Sequence, residues 1–282
     1  MRKSAAVLGG DIRQVHLARL LQEDGWEIVT WGLEKAGAPC AVPLARALET
    51  EIIILPLPVC RGDAMNLPLS DMELSRDLLI KQLRCDQIIF GGMTQPLAQQ
   101  VGGFEFLDYY EREDVQIMNA VPTAEGAIMR AMEETDYTLR GSKCLVVGYG
   151  RIGKVLAHRL HGMGADVTVA ARKSSDLAWI EAYGYRAVHT KNIAELMGKF
   201  DLVFNTVPAP VLDGACLERV NSDCLFMELA SQPGGIDVTA VKEHNLRMLV
   251  ERGLPGIVAA KTSAAAIRDG IYRILEERGV AL

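Results

Sequence analysis

The sequence predicts an α/β protein made of two parallel-sheet domains with a cleft between them. Three observations predict it. The chain has 282 residues, longer than most single hydrophobic cores. Short Val/Ile/Leu-rich strands alternate with helical patterns from end to end, as they do when helices cover both faces of a parallel sheet. A strand, glycine turn and helix, CLVVGYGRIGKVLA (144–157), opens a second round of alternation halfway along. Each half therefore reads as a Rossmann-like unit.

In the first half, AAVLGG (5–10) reads as a buried strand, followed by a helix with Leu17, Leu20 and Leu21 on one face. EIVTWG (27–32) and EIIILPLPV (51–59) read as strands, the second ended by Pro56 and Pro58, because proline cannot continue a ladder. SDMELSRDLLIKQL (70–83) begins with a capping box, Ser70 followed three residues later by Glu73. DQIIFGG (86–92) is a further strand and VQIMNA (115–120) the last one; the charged, aromatic FEFLDYYERED between them has no assigned type. VPTAEGAIMRAMEETDY then reads as a helix, with Pro122 in its first turn and Ile128, Met129 and Met132 along its apolar side.

After Gly141 the strands fall at 143–148, 166–171, 186–189, 201–208, 224–230 and 246–251. The helix after Gly150 carries Ile152, Val155, Leu156, Leu160 and Met163 at helical spacing. The last helix starts at Thr262–Ser263, with Ala264, Ile267, Ile271, Ile274 and Leu275 on its stripe. The expected division is a substrate-side domain over 1–118, a connecting helix over 119–140 and a nucleotide-binding domain over 141–255. The helix of 256–282 is expected to pack back on the first domain.

Composition narrows the partners. Hydrophobic residues make up 49% and charged residues 23%, ordinary for a globular enzyme. Net charge is −6 and no basic run reaches five residues, which argues against nucleic acid. No apolar run approaches the roughly 18 residues of a membrane span, and Ala5–Leu8 is too short for a signal peptide. A cytoplasmic protein is expected. The six cysteines (40, 60, 85, 144, 216, 224) form no CxxC pair and read as reduced thiols. The five histidines show no ligand spacing, so no metal site is expected.

The chemistry centres on Gly148-x-Gly150-x-x-Gly153. The first glycine permits a tight turn, the second lets backbone approach a pyrophosphate, and the third packs helix on strand. The pyrophosphate would sit on the helix start at Arg151, Ile152 and Gly153, using amide N–H groups and the dipole. Choice of cofactor falls to the end of the next strand, VAARKSS. An NAD site places an acid there for the ribose hydroxyls; here stand Arg172, Lys173 and Ser174, suited to a 2′-phosphate. The cofactor is read as NADP, against a solvated Arg–Lys pair. NTVPAPV brings Thr206, Val207 and Pro208 to the nicotinamide side, or is a strand ended by prolines. ELASQPGGID offers Ser231, Gln232, Gly234 and Gly235, or is a plain turn.

In the first half VLGGDIRQ imitates a nucleotide turn but has Gln14 in place of a third glycine. Asp11 either caps the helix or stands with Gly9, Gly10 and Arg13 at the cleft. Asn119, Thr123 and Glu125 open the connecting helix; Lys261 and Thr262 open the last one. An anionic substrate would favour these polar groups, whereas surface charge is the competing reading of Glu125 and Lys261. No Ser–His–Asp or Cys–His pairing follows from spacing.

Taken together, GGDIRQ, NAVPTAEGAI, TDYTLRGSKCLVVGYGRIG, ELASQPGGID and GLPGIVAAKTSAAAI resemble the dipicolinate synthase A-subunit family of endospore-forming bacteria. The likeness spans nearly the whole chain. Two positions depart from the family pattern: Gln232 stands where arginine is frequent, and Ala260 where proline is. The resemblance implies a two-subunit enzyme in the mother-cell cytoplasm late in sporulation. Its A-subunit oxidises a dihydrodipicolinate-type cyclic precursor to dipicolinate (pyridine-2,6-dicarboxylate), passing hydride to NADP beside a flavoprotein-like B-subunit of the same dipicolinate synthase. Forming the aromatic ring also releases a proton, for which Asp11 and Glu125 are the candidate bases; Lys261 completes the candidate catalytic set. Two alternatives stand: an NADP-dependent hydroxy or amino acid dehydrogenase, and a non-catalytic NADP-binding subunit. A homo-oligomer is left open.

Overall fold

A computed structural model describes residues 3–100 and 102–280. The outermost residues assigned above to the first domain and to the last helix (1, 2, 281 and 282), and residue 101, lie outside the described residues. The chain divides into two compact units: residues up to 119 together with those from 256, and residues 120–255.

The first unit runs β1 (Ser4–Leu8), α1 (Ile12–Glu23), β2 (Glu27–Trp31), α2 (Leu44–Ala47) and β3 (Ile52–Ile54). A two-residue antiparallel pair follows, β4 (Cys60–Arg61) with β5 (Ala64–Met65), then α3 (Arg76–Gln82), β6 (Ile88–Gly91), α4 (Gln95–Ala98) and β7 (Phe106–Asp108). The helix α5 (Glu113–Glu133) carries the chain into the second unit. There β8 (Lys143–Val147), α6 (Arg151–Gly162), β9 (Asp166–Ala171), α7 (Ser174–Ala182) and β10 (Arg186–His189) are followed by β11 (Leu202–Asn205), α8 (Gly214–Leu217), β12 (Leu225–Glu228), α9 (Val238–Glu243) and β13 (Arg247–Val250). Helices α10 (Leu254–Val258) and α11 (Ala260–Glu277) end the chain.

Both main sheets are parallel. The first has the order β2-β1-β3-β6-β7, the second β10-β9-β8-β11-β12-β13. Counted within each unit these are the doubly wound orders 2-1-3-4-5 and 3-2-1-4-5-6. The α/β fold with two Rossmann-like units is thus present. The central strands are apolar along their length: Ala5 to Leu8, Ile52 to Ile54 and Leu202 to Phe204 are all buried, because helices cover both faces. In the first unit one face packs on Val15, Leu17 and Leu21 of α1 and on Ala264, Ile267, Ile271 and Leu275 of α11. The other face packs on Ala47, Leu79 and Leu97. In the second unit Leu145, Val203 and Phe226 meet Ile193, Met197, Leu217 and Val241.

Three elements differ from the sequence expectation. VQIMNA is helical, so α5 starts at Glu113 and not as a connecting helix at 119. Val115 is buried while Ile117 and Met118 are exposed, a helical alternation that a six-residue apolar run does not reveal. Pro122 consequently lies inside α5, where its missing N–H leaves the Met118 carbonyl without its usual donor. Helix α3 starts at Arg76: Ser75 Oγ accepts from Leu78 N, whereas Ser70 Oγ accepts from Met72 N in a local turn. Helix α11 starts at Ala260, ahead of Thr262, with no side-chain cap, and Ser263 is buried.

Candidate functional site: two glycine turns at two switch points

In each doubly wound sheet the strand order reverses beside the first strand, and ligands bind outside the strand ends at that point. The second unit's reversal lies between β8 and β11. Gly148 follows β8 with φ +100, a conformation that side chains rarely adopt, and a Cβ there would lie 2.5 Å from Thr206 Oγ1. A Cβ on Gly153 would come 2.1 Å from the Gly148 carbonyl oxygen, so only glycine lets α6 start against the turn. A Cβ on Gly150 would meet nothing within 4 Å. The turn is therefore closed on the protein side and open above Gly150. No side chain caps α6, whose first residues are Arg151 and Ile152. These features fit a pyrophosphate held on a helix start.

Around this turn, Thr206 N and Oγ1 both donate to the Val147 carbonyl at 2.9 Å. Val207 lies against Gly148, and Pro208 is exposed. Arg172, Lys173 and Ser174 follow β9 directly, all exposed, with Lys173 in the N-cap position of α7. Asp166, the acid of that strand, sits at its opposite end. Thus Gly148 to Gly153, Arg172 to Ser174 and Thr206 to Pro208 share the C-terminal edge of one sheet.

The same edge holds a group the sequence reading missed. Glu228, 2% exposed, ends β12; Asn205, fully buried, ends β11 beside it. The Asn205 amide donates to both Glu228 oxygens at 2.8 and 3.0 Å. The Ala230 N–H donates to Oε1 at 2.9 Å, while Gly235 and Ile236 N–H donate to Oε2 at 2.8 and 3.2 Å. Gly234 (φ +88) and Gly235 thus have a task inside the protein. A Cβ on Gly235 would lie 2.6 Å from Asn205 Nδ2 and from the Val207 carbonyl oxygen. Ser231 and Gln232 remain exposed at the tip of that loop. An acid inside the apolar strand CLFMELA was the available signal.

In the first unit the reversal lies between β1 and β3. Gly9 N donates to Trp31 O and Gly10 N to Asn66 O. Asp11 caps α1 through Arg13 N and grips the Arg13 guanidinium at 2.8–3.2 Å. Arg13 also donates to Leu57 O at 2.7 Å and is nearly buried. Burial works against its charge, but the Asp11 hydrogen bond prevails and its pKa is raised. Asp11 therefore both caps and pairs. Gly256 closes on this pair, since a Cβ there would lie 2.9 Å from Asp11 Oδ2.

The remaining predicted residues disperse. Asn119 donates to the Tyr110 hydroxyl at 3.4 Å, Thr123 is buried, and Glu125 is half exposed and paired with Arg159 at 3.2 Å. Lys261 and Thr262 are exposed, and Lys261 is near enough to His16 to help lower its pKa, behind burial and Arg19. A cavity of about 650 Å³ beyond β3, β6 and β7 is lined by Pro58, Cys60, Arg76, Met93, Asp108 and Tyr110. The Arg76 Nε itself is buried without a partner. These lining residues come from separate elements and loops and gave no sequence signal. Among the described residues, no cluster of three His, Cys, Asp or Glu could hold a metal, and no helix is long and apolar enough to cross a membrane.

Comparison with known proteins adds the following. Residues 4–106 match the model of the N-terminal domain of the dipicolinate synthase A-subunit, and residues 114–213 that of the D-isomer specific 2-hydroxyacid dehydrogenase NAD binding domain. The dipicolinate synthase A-subunit of Bacillus subtilis (strain 168) is 31% identical, covering 96% of this chain and 95% of its own. The crystal structure of the corresponding dipicolinate synthase A-subunit from Bacillus halodurans superposes with TM-score 0.88 at 28% identity, over 98% of both chains. That of the Bacillus subtilis protein gives 0.85 at 32%, over 98% of this chain and 97% of that one. A transhydrogenase from Sinorhizobium meliloti, at 17% identity and TM-score 0.71, shares the fold.

Proposed function

Because the chain belongs to the dipicolinate synthase A-subunit family, an oxidoreductase family with a dehydrogenase-type nucleotide domain, we propose that it oxidises a dihydrodipicolinate-type precursor to pyridine-2,6-dicarboxylate with NADP. The observation that carries the cofactor choice is the end of β9. No acid stands there to take ribose hydroxyls, and Arg172, Lys173 and Ser174 offer two cations and a hydroxyl for a 2′-phosphate. When bound, the cofactor supplies the hydride acceptor.

The chain's own residues do the rest. Gly148, Gly150 and the start of α6 take the pyrophosphate, and Thr206, Val207 and Pro208 border the nicotinamide end. Ser231 and the loop closed by Gly234 and Gly235 border it from β12. In the first unit the substrate's carboxylates call for cations and donors: Arg13 behind Gly10, Lys261, Thr262, and Arg76, which lines the cavity. Asn119 and Thr123 add donors on α5. Loss of the ring proton is favoured by aromaticity, so water or a modest acceptor suffices; of the two candidate carboxylates, Asp11 is bonded to Arg13 and the start of α1, and Glu125 is paired with Arg159. A flavoprotein-like second subunit is the proposed partner, and the mother-cell cytoplasm the proposed location.

Purified chain mixed with NADP and freshly made dihydrodipicolinate precursor, with and without the second subunit, tests this reading. NADPH absorbance appearing with that of a pyridine is the expected result. Intact NADP binding with silence in both mixtures would move the substrate to another acid.

A further inference from the structure

We infer that Glu228 is a fixed negative charge beneath the nicotinamide end of the cofactor site and that it biases the chain toward the oxidised, cationic form of the cofactor. The inference rests on the cofactor reading above and goes beyond it, because it concerns which redox state binds.

Three features of Glu228 support this. All its partners are donors: the Asn205 amide and the N–H groups of Ala230, Gly235 and Ile236. A carboxylate, an acceptor on both oxygens, satisfies that set; a protonated carboxyl would point its own hydrogen at donors. Next, the charge is not neutralised locally. The described ion pairs do not include Glu228, and Arg252, which reaches the same loop, donates weakly to the Ala230 carbonyl at 3.5 Å while exposed to solvent. At 2% exposure, water screens Glu228 poorly. Finally, its contacts lead to both loops assigned to the nicotinamide end. Asn205 bonds Val207 N and O at 3.2 and 3.0 Å, and Gly235 and Ile236 close the loop beyond β12.

Dipoles from N–H groups can stabilise a carboxylate without removing its net charge, so the field persists beyond the hydrogen-bonded shell. An oxidised nicotinamide carries a positive charge and a reduced one is neutral. Only the oxidised form gains from the buried anion, and a difference in binding is what shifts an equilibrium. A purely structural role for Glu228, holding two loops in shape, would weaken both redox forms alike.

The test measures Kd for NADP+ and for NADPH, without substrate, in the wild-type chain and in Glu228→Gln and Glu228→Asp. The wild type is expected to bind NADP+ more tightly than NADPH. Glu228→Gln should reduce that preference at least fivefold, chiefly by weakening NADP+; Glu228→Asp, which keeps the charge, should retain the preference even where both affinities fall. Equal losses for the two forms in Glu228→Gln, or a preference lost in Glu228→Asp as well, would overturn the inference. If Glu228→Gln does not fold, the wild-type ratio and Glu228→Asp decide, and a wild type that binds both forms equally sinks it. A wild type that binds neither form would instead remove the cofactor reading, and this inference with it.

Discussion

The two units place a glycine turn at the same point of the same kind of sheet, yet one turn is open and the other is filled. Beside Gly150 there is space, and its neighbours Gly148 and Gly153 are glycine because protein atoms press on them from below. Beside Gly9 and Gly10 there is none. A Cβ on Gly9 would lie 2.4 Å from Leu67 Cδ2 and one on Gly10 2.5 Å from Gln14 Cγ. Both their N–H groups are already bonded to carbonyls, and Asp11 spends its carboxylate on α1 and Arg13. A glycine pair after a strand thus signals close packing in general; room for a nucleotide pyrophosphate follows only where one of the glycines faces nothing.

That contrast can be broken most forcefully at Gly153. Gly153→Ala puts a methyl group 2.1 Å from the Gly148 carbonyl oxygen. It should raise the Kd for NADP+ at least a hundredfold, about 3 kcal/mol, whereas Gly10→Ala should lower Tm and leave that Kd alone; titration by cofactor fluorescence reads both. If the two variants behaved alike, the open and filled turns would not differ in task. Asp11→Ala comes next. It removes a helix cap and strands the nearly buried Arg13, for a loss of about 2 kcal/mol in urea unfolding. Unchanged stability would make the filling of the first turn incidental.

Arg172→Glu should then reduce the preference for NADP+ over NAD+ at least tenfold, read as the ratio of the two Kd values. A ratio that stays put would take Arg172 out of the cofactor site. The smallest effect concerns acid. Hydrogen bonds, first from Arg112 and then from Arg273, hold the Asp114 carboxyl down to about 2. Its folded value lies below the unfolded one, so its stabilisation is full above about pH 4 and fades as pH falls through about 2. Asp114 is about one-third exposed, so the screened contribution is no more than about 1 kcal/mol. The stability gap between wild type and Asp114→Asn should therefore close between about pH 5 and pH 2, and a gap independent of pH would refute it.

Legibility in the sequence followed the range of the interactions. The β8–α6 turn could be read because strand, glycines and helix stripe lie within fourteen consecutive residues, each tied to its neighbours. Alternation announced parallel sheets but not their strand order, which is 2-1-3-4-5 in one unit and 3-2-1-4-5-6 in the other. The start of helix α5 was hidden because VQIMNA is too short for its period to show, and Pro122 pointed to a first turn that lies nine residues earlier. Ser70 and Glu73 have capping-box spacing, but the helix is capped five residues on by Ser75. Glu228 and Asn205 were invisible as a pair, since 23 residues separate them and only sheet pairing brings them together. The cavity with Arg76 and Asp108 was hidden for the same reason.

The docking of α11 on α1 also sets a schedule for synthesis. Residues 120–255 form one uninterrupted stretch, so the second unit leaves the ribosome with everything its core requires. The first unit does not. Leu17 and Leu21 emerge early, but Ala264, Ile267, Ile271 and Leu275, which cover them, come some 250 residues later. At roughly 5–20 residues per second, that leaves an apolar helix face uncovered for on the order of 10 s or more. During that interval the nascent chain exposes a surface for chaperones or for misassembly, and the half made first is completed last.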